Sequence, residues 1–204
     1  SGKVTAFSVD GSSEVWGQSV AGGNYGDLLV DGGYVFAVSE NDEVVAFDGN
    51  DGTELWSSDL GGTARGRMAI LGDTLFVQTA DEVLAFDADS GGEVWAEPYA
   101  ASGLSGSMAA GDGALYCAGK PTTVRLDPET GAEVGQYTSG QSNAEIVVTG
   151  GYAVLGGSDS VIGLAASDLS EDWSHPLDNA SVTGMAAVSG DVFVSTDNDG
   201  LLGF

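Results

Sequence analysis

The sequence predicts an all-β fold built from one structural unit that recurs about every 40 residues. An apolar residue closes a strand-like run at intervals of 38 to 40 residues, at Phe7, Phe47, Phe86, Leu126, Leu164 and Phe204. The four tryptophans of the chain each stand nine residues after one of these positions, at Trp16, Trp56, Trp95 and Trp173. A glutamate stands seven residues after each of the first five, and no segment has the 3.6-residue period of a helix.

Each unit contains four strand-like runs. In the second unit, residues 45–47 and 54–56 are two such runs, and the acidic, glycine-containing segment 48–53 between them has the composition of a hairpin turn. Two further apolar runs precede each hairpin and are joined by Gly/Asp pairs such as Gly72-Asp73. Four short antiparallel strands per repeat of about 40 residues predict the blades of a β-propeller.

Taken in order, residues 4–9 and 14–20 are predicted as two strands. Four complete four-stranded blades follow at residues 27–60, 67–99, 107–138 and 145–177, and residues 185–188, 192–196 and 201–204 are predicted as three last strands. No linker interrupts the series, so we predict a single domain over residues 1–204. Residues 2–7 and 200–204 occupy the same repeat position, which leaves two arrangements open: a closed five-bladed ring or an arc of a larger ring.

The charge balance is strongly acidic, with 31 acidic residues against 5 basic ones and a formal net charge of -26. A chain without a basic stripe is not expected to bind nucleic acid. No apolar stretch of about 18 residues is present, so we predict no transmembrane segment. The acidic excess resembles that of proteins from extreme halophiles, and we interpret the chain as halophilic.

The hairpin motif resembles a known family. Residues 45–56 read Val-Ala-Phe-Asp, an acidic turn, then Gly-x-Glu-Leu-Trp, and residues 86–95 follow the same pattern. This motif, over essentially the whole chain, resembles the repeat of pyrroloquinoline-quinone-like (PQQ-like) propellers. The resemblance implies that the repeated tryptophan docks against a neighbouring blade. Gly135 replaces the tryptophan in one unit, so we expect a looser junction there.

The resemblance covers two functional groups, which fold analogy cannot separate. One group is the quinoprotein dehydrogenases, which hold the quinone and Ca²⁺ at the ring centre. The other is non-enzymatic scaffolds, such as the propeller lipoprotein of the outer-membrane assembly machine. We expect a non-catalytic binding or scaffold module at the cell surface. The alternatives are a fragment of a quinone-dependent dehydrogenase, a ligand-sensing domain of a larger surface protein, and a location in a high-salt cytoplasm.

The first residues of the innermost strands are the predicted binding surface. Repeat alignment places Asp27, Arg67, Ser107 and Glu145 at one mouth of the central channel, and Arg65 lies two residues before Arg67. The two arginines would form a positive spot on one strand face that receives a protein partner's carboxylate or a small anionic ligand. The alternative interpretation is that they neutralise neighbouring acids.

No catalytic residue, metal site or cofactor is predicted. The quinoprotein alcohol dehydrogenases carry two adjacent cysteines, whereas this chain has only Cys117, in an apolar run that predicts a buried thiol. The acidic segments at 48–52 and 197–200 are incomplete calcium motifs, and we interpret both as turns. His175 is predicted in a loop, and Asn179 begins an Asn-Ala-Ser sequon that would carry a glycan if the chain is exported. Because the chain begins at Ser1 without an initiating Met or a signal-peptide pattern, we expect it to be processed, tagged or cut from something longer.

The charge predicts that stability depends on salt. A net charge of -26 on a compact fold is self-repulsive, and the screening length falls from about 8 Å at 0.15 M salt to about 3 Å at 1 M. We therefore expect the melting temperature to rise steeply between about 0.1 M and 2 M KCl. A variant with several surface Asp or Glu residues changed to Lys should show a flatter dependence. A wild-type melting temperature that does not change across the KCl series would contradict the halophilic interpretation.

Overall fold

The computed structural model describes residues 2–23, 26, 28–139, 143–198 and 200–203. Within those residues every regular element is a strand, in agreement with the all-β prediction, and no helix there is long and apolar enough to cross a membrane. The chain divides into two compact units, residues 1–102 and 103–204. Each unit consists of antiparallel sheets in which consecutive strands are neighbours, as expected for propeller blades. The single domain remains a prediction, as does the choice between ring and arc.

The first unit contains one two-stranded and two four-stranded sheets. The strands are β1 (Gly2–Phe7) and β2 (Glu14–Val20); β3 (Leu29–Asp31), β4 (Tyr34–Val38), β5 (Glu43–Asp48) and β6 (Glu54–Asp59); and β7 (Ala64–Leu71), β8 (Thr74–Thr79), β9 (Glu82–Asp87) and β10 (Tyr99–Ala100).

The second unit contains two four-stranded sheets and one three-stranded sheet. The strands are β11 (Met108–Gly111), β12 (Ala114–Cys117), β13 (Thr122–Leu126) and β14 (Glu133–Thr138); β15 (Asn143–Thr149), β16 (Tyr152–Gly157), β17 (Ser160–Ala165) and β18 (Glu171–Pro176); and β19 (Val182–Val188), β20 (Asp191–Thr196) and β21 (Gly200–Gly203).

Two elements differ from the sequence prediction. β1 ends at Phe7 rather than at Val9, because hydrogen bonds from Ser8 and Ser12 to the Asp10 carboxylate hold these residues in a turn. The outer strand of the third sheet is reduced to β10, with only an isolated bridge between Phe86 and Glu93. Pro98 lies just before β10, and a proline there has no N–H for the ladder.

The middle strands form the core. β4 and β5 are buried along almost their whole length, because the second sheet packs against the first sheet on one face and against the third sheet on the other. The outer strand β6 instead alternates between exposed and half-buried residues. Apolar clusters lie between successive sheets within each unit; one of them joins Phe36 and Val38 of the second sheet to Leu75 and Val77 of the third.

The junction between the first two sheets is made by an indole ring on a hairpin turn. A Cβ added to Gly52 would lie 2.6 Å from the Trp16 ring, so the indole occupies the space that any side chain would need. Gly52 has a φ of +74°, a conformation that glycine adopts without cost. The Trp16 Nε1–H donates to the Gly49 carbonyl over 3.0 Å, and the Gly49 N–H donates to the Gly33 carbonyl over 2.7 Å.

The next junction repeats this geometry. The Trp56 ring lies 2.5 Å from the place of a Cβ on Gly91, and its Nε1–H donates to the Ala88 carbonyl over 2.9 Å. The Ala88 N–H in turn donates to the Asp73 carbonyl over 2.8 Å. The Trp56 ring also contacts Phe36 of its own sheet, with ring centroids 5.9 Å apart. The tryptophan therefore ties its own sheet to the turn of the following sheet.

The junction at Gly135 is built from other residues, and the looser packing expected there stays a prediction. Leu169 stands at the repeat position of Gly52 and Gly91, keeps a positive φ of 62° and is only 2% exposed. Its Cδ1 lies 3.9 Å from the place of a Cβ on Gly135. The Tyr116 hydroxyl donates to the Ala166 carbonyl over 2.7 Å, at the position where Trp16 and Trp56 bond elsewhere. A leucine thus supplies the volume and a tyrosine supplies the donor.

We predict that Trp56→Ala lowers the free energy of unfolding by about 3 kcal/mol, because it leaves a cavity on the Gly91 turn and removes the donor to Ala88. Denaturant unfolding measures the change. Leu55→Ala is the matched control, since Leu55 is the preceding residue of β6 and is 45% exposed. Equal losses in the two variants would contradict the docking role of the indole.

At Gly135 and Leu169 the large and small residues of the usual contact have exchanged places. The glycine is on the outer strand, and the larger residue is in the turn. Gly135→Trp alone should cost about 1–3 kcal/mol, because the new ring meets Leu169. Adding Leu169→Gly should recover part of that loss, with a coupling of about 0.5–3 kcal/mol between the two sites. Val134→Trp, at a position 49% exposed, is the control. Strictly additive losses would show that the two positions do not share one space.

Candidate functional site

The predicted arginine pair lies at the start of β7, where the strand carries a bulge. Ala64 pairs with Thr79 and Arg67 pairs with Gln78, so Arg65 and Gly66 are inserted without partners in the ladder. The prediction that the two arginines share a face assumed regular alternation, which the bulge interrupts. Arg65 is exposed and Arg67 is half-buried.

The environment of Arg67 includes a buried amide. Gln78 is 1% exposed, and its Oε1 accepts no hydrogen bond from the residues that the structure describes. A buried acceptor of this kind is a position that a water molecule or a donor from a ligand can satisfy. The polar groups at this end of β7 are therefore an exposed guanidinium, a half-buried guanidinium and a buried carbonyl oxygen.

The other predicted mouth residues are distributed between the two units. In the second unit, the Ser107 Oγ accepts the Ile146 N–H over 2.9 Å and its carbonyl accepts the Ala118 N–H over 3.0 Å. Ser107 therefore holds the inner strands of two sheets together, and half-buried Glu145 precedes Ile146 at a second bulge. In the first unit, Asp27 lies outside the described residues.

The inner strands of the first unit approach each other closely beside that position. A Cβ added to Gly26 would lie 2.5 Å from the Gly66 Cα, so the two backbones leave no room for a side chain there. Arg65 directly precedes Gly66, so its backbone adjoins this contact, and its side chain is exposed.

The carboxylates of the acidic turns accept hydrogen bonds from their own turns. The Asp87 carboxylate accepts the N–H and hydroxyl of Ser90, Asp127 accepts those of Thr130, and these bonds lower the pKa of both carboxyls. In the first hairpin, hydrogen bonds from Ser8 and Ser12 lower the pKa of Asp10 to about 2. No group of three or more metal-ligating side chains occurs in the described part of the chain.

The incomplete calcium motif at residues 48–52 is a turn, as predicted, whereas the motif at 197–200 includes Asp199, which lies outside the described residues. Asp48 accepts the Asn50 N–H over 2.7 Å, and Asp51 accepts the Thr53 N–H over 2.8 Å. Asp197 accepts the Ser181 N–H over 2.8 Å. Asp48 and Asp51 therefore hold their own turn, whereas Asp197 bonds to the backbone just before β19.

Two tyrosines bind carboxylates of the following sheet. The Tyr34 hydroxyl donates to Asp89 over 2.7 Å, and this bond raises the pKa of Tyr34. The Tyr137 hydroxyl donates to Glu171 over 2.5 Å; burial, followed by that bond, raises the pKa of Tyr137 to about 12. Both phenols are therefore neutral donors at physiological pH, and Tyr34 reaches an acid within a docked turn.

The remaining single residues have these environments. Cys117 is buried, as predicted, and burial raises the pKa of its thiol. His175 lies in β18 rather than in a loop, because Pro176 is the last residue of an outer strand, where a missing N–H is tolerated. Asn179 is exposed, with its carbonyl accepting the Asn198 Nδ2–H over 2.5 Å, and its glycosylation remains a prediction.

The second unit also contains a groove that the sequence did not reveal. It has a volume of about 380 Å³ and is lined by Thr149, Tyr152, Val154, Trp173, Gly190 and Val192, mostly through apolar atoms. Trp173 lies over its ladder partner Gly163, where an added Cβ would overlap the indole ring. The only signal for the groove was Gly163 itself, because the equivalent positions in two other sheets are Ala46 and Ala85.

Comparison with known proteins gives the family. The family model described as outer membrane protein assembly factor BamB matches residues 1–86 and again residues 80–203. A comparison with curated protein sequences gives no match. Among solved structures, BamB from Moraxella catarrhalis is similar with a TM-score of 0.73 and 19% identity, over 98% of this chain and 65% of that one.

Two further structures are similar at lower identity. Sqt1 from Saccharomyces cerevisiae has a TM-score of 0.84 and 11% identity over 100% of this chain and 66% of its own. The quinohemoprotein alcohol dehydrogenase ADHIIG from Pseudomonas putida HK5 has a TM-score of 0.69 and 13% identity over 93% of this chain and 42% of its own. The chain thus spans about two thirds or less of the length of these three proteins, and at such identities the likeness shows the propeller fold alone. The family match over almost every residue shows that the chain belongs to the family of outer membrane protein assembly factor BamB, whose PQQ-like repeats form β-propeller blades.

Proposed function

We propose that this chain is a non-catalytic, protein-binding β-propeller that presents its binding surface at the cell surface of a halophile. The observation that carries the proposal is the family match over residues 1–86 and 80–203, because an assembly factor acts by binding other proteins. Rigid blades with short, hydrogen-bonded turns suit this role, since a preformed surface loses little conformational entropy on binding. The proposal includes no cofactor and no catalytic residue.

The start of β7 is the surface that we assign to the partner. Arg65 is exposed, and among the described residues the structure shows a salt bridge for Lys3 but none for Arg65. In a chain with 31 acids and 5 basic residues, this guanidinium is a local exception to a repulsive acidic surface. A planar guanidinium binds a carboxylate through two parallel hydrogen bonds, so the expected partner is a protein segment with an exposed acid. A small anionic ligand would use the same chemistry.

The acidic surface supports a high-salt environment. Neighbouring turns each carry exposed carboxylates, and salt shortens the range over which these charges repel each other. High salt also weakens the long-range attraction between an exposed Arg and a partner, so binding must depend on direct contact. A location at the cell surface or in a high-salt cytoplasm agrees with this charge, and the family favours the former.

The binding assay should distinguish the effect of Arg65 on partner binding from the effect of the net charge of the chain. The full chain in 2 M KCl is immobilised and exposed to an envelope extract of the source cells, and bound proteins are cross-linked and identified. We expect a discrete partner that Arg65→Glu loses by at least about tenfold, because a carboxylate then faces a carboxylate. Lys3→Glu is the control, since it makes the same charge change at an exposed residue in β1.

Two outcomes would contradict the proposal. One is a partner that Arg65→Glu and Lys3→Glu retain equally, which would mean that the β7 surface is not used. The other is dye reduction with alcohols or sugars above a heat-killed control, after incubation with pyrroloquinoline quinone and Ca²⁺. That activity would favour the dehydrogenase alternative.

A further inference from the structure

The first unit contains a cavity of about 240 Å³ at the junction between its first two sheets. Its walls come mainly from the end of β2 and from β5 and β6, and they include Val20, Glu43, Val45, Phe47, Glu54 and Ser57. Val4 of β1, the strand that pairs with β2, belongs to the same apolar cluster as Val20, Val45 and Phe47. The cavity is therefore bounded by strands of two packed sheets, with apolar side chains on its floor.

The strand register places an acid at each end of this floor. Glu43, Val45 and Phe47 alternate along β5, so they share the face that packs against the first sheet. In β6, Ser57 lies opposite Val45 and Glu54 lies opposite Phe47. Positions 43 and 47 are about 13 Å apart along an extended strand. Two carboxylates at opposite ends thus enclose an apolar strip with one hydroxyl beside it.

The two carboxylates are held in place but are not neutralised. Among the described residues, neither the Glu43 nor the Glu54 side chain forms an ion pair or a hydrogen bond, and the Ser57 hydroxyl has no partner there either. The Glu43 backbone is fixed by buried Ser39, whose Oγ accepts the Glu43 N–H over 3.2 Å and whose N–H donates to the Glu43 carbonyl over 2.8 Å. Asp59, opposite Glu43 in β6, instead accepts the Gly61 N–H over 2.7 Å. The lining therefore has charge and acceptors available for a cation.

The volume of the cavity comes from two small side chains. Glu82 and Glu93 repeat the two acids in the third sheet. At that junction, however, Leu84 stands at the repeat position of Val45 and Leu60 at that of Val20, and both leucines are buried in the cluster between the second and third sheets. The larger residues occupy space that the two valines leave open.

We propose that this cavity, which we call the Glu43–Glu54 cavity, binds a linear diamine or polyamine. Each terminal ammonium group binds one carboxylate, the methylene chain lies on Val45 and Phe47, and the Ser57 hydroxyl accepts a further N–H. A cation with a single charge would leave one carboxylate unpaired, and a metal ion would leave the apolar floor uncovered. This ligand is cationic, so the site is distinct from the β7 surface proposed for an acidic partner.

The test is calorimetric titration of the full chain with 1,6-diaminohexane in 2 M KCl. High salt screens the net charge of -26, so diffuse attraction of cations to the acidic surface contributes little and direct contacts remain. We expect saturable binding of one diamine per chain. In a series of diamines from three to ten carbons, the affinity should pass through a maximum at intermediate length, because the ammonium separation must match that of the two carboxylates.

Variants on both sides locate the contact. Glu43→Gln and Glu54→Gln should each weaken binding at least about tenfold through the lost charge-assisted hydrogen bond. Val45→Leu introduces the residue of the third sheet and should weaken binding to a similar degree by filling the floor. Glu82→Gln is the matched control, because it makes the same charge change at the equivalent position of β9, and it should bind the diamine like the wild type. Hexylamine, with one ammonium group, should bind at least about tenfold more weakly than the diamine.

Several results would overturn the diamine site. They are the absence of saturable binding, equal effects of Glu43→Gln and Glu82→Gln, and an affinity that does not depend on chain length. Hexylamine that binds as tightly as the diamine would also overturn it, and would assign the cavity to a single alkylammonium group such as a lysine side chain of a partner. The melting temperature of each variant is measured in the same buffer, and the two glutamine variants decide the outcome if Val45→Leu does not fold.

Discussion

The contact between an indole ring and the glycine of a hairpin turn is the interaction on which the junctions between successive sheets depend. Middle strands bury both faces, so every sheet needs a neighbour whose backbone comes close enough to exclude water. The indole provides that closeness in one place, because it fills the space above the turn glycine and donates to a carbonyl of the same turn. The same carbonyl residue donates its N–H to the first turn of its own sheet, so one tryptophan orders two turns together.

The junction at Gly135 shows that the constraint is physical rather than specific to tryptophan. The junction requires a side chain that fills the space above the turn. It also requires a donor to one turn carbonyl, which is that of Gly49, Ala88 or Ala166. Leu169 fills the volume at the cost of a left-handed backbone, about 1–2 kcal/mol for a residue with a Cβ, and Tyr116 supplies the donor. Gly135, Leu169 and Tyr116 together replace one tryptophan ring. This explains why the register of the repeat continues through a unit that lacks the tryptophan.

The acidic side chains have two roles that the total charge does not distinguish. Some, such as Asp87 and Asp127, accept hydrogen bonds from their own turns, and their lowered pKa values keep them ionised. Others, such as Asp89 and Glu171, accept tyrosine hydroxyls of the preceding sheet. The carboxylates thus specify the turns on which the indoles rest, while their uncompensated charge remains on the surface. In this setting an exposed arginine on a bulged inner strand is conspicuous, and the bulge explains its exposure.

The repeat spacing alone determined the fold class, the four strands of a blade and the turns. It could do so because alternating apolar runs, turn glycines and Asx turns are local properties with local physical causes. Tertiary structure decided what depends on neighbours. The bulge at Arg65 is a property of the β7–β8 ladder, the complement of Gly135 lies 34 residues away at Leu169, and the Trp173 ring lies over Gly163 of the neighbouring strand. Each of these three features depends on side-chain volumes and ladder registers from different strands. A single stretch of sequence does not show which strands come together.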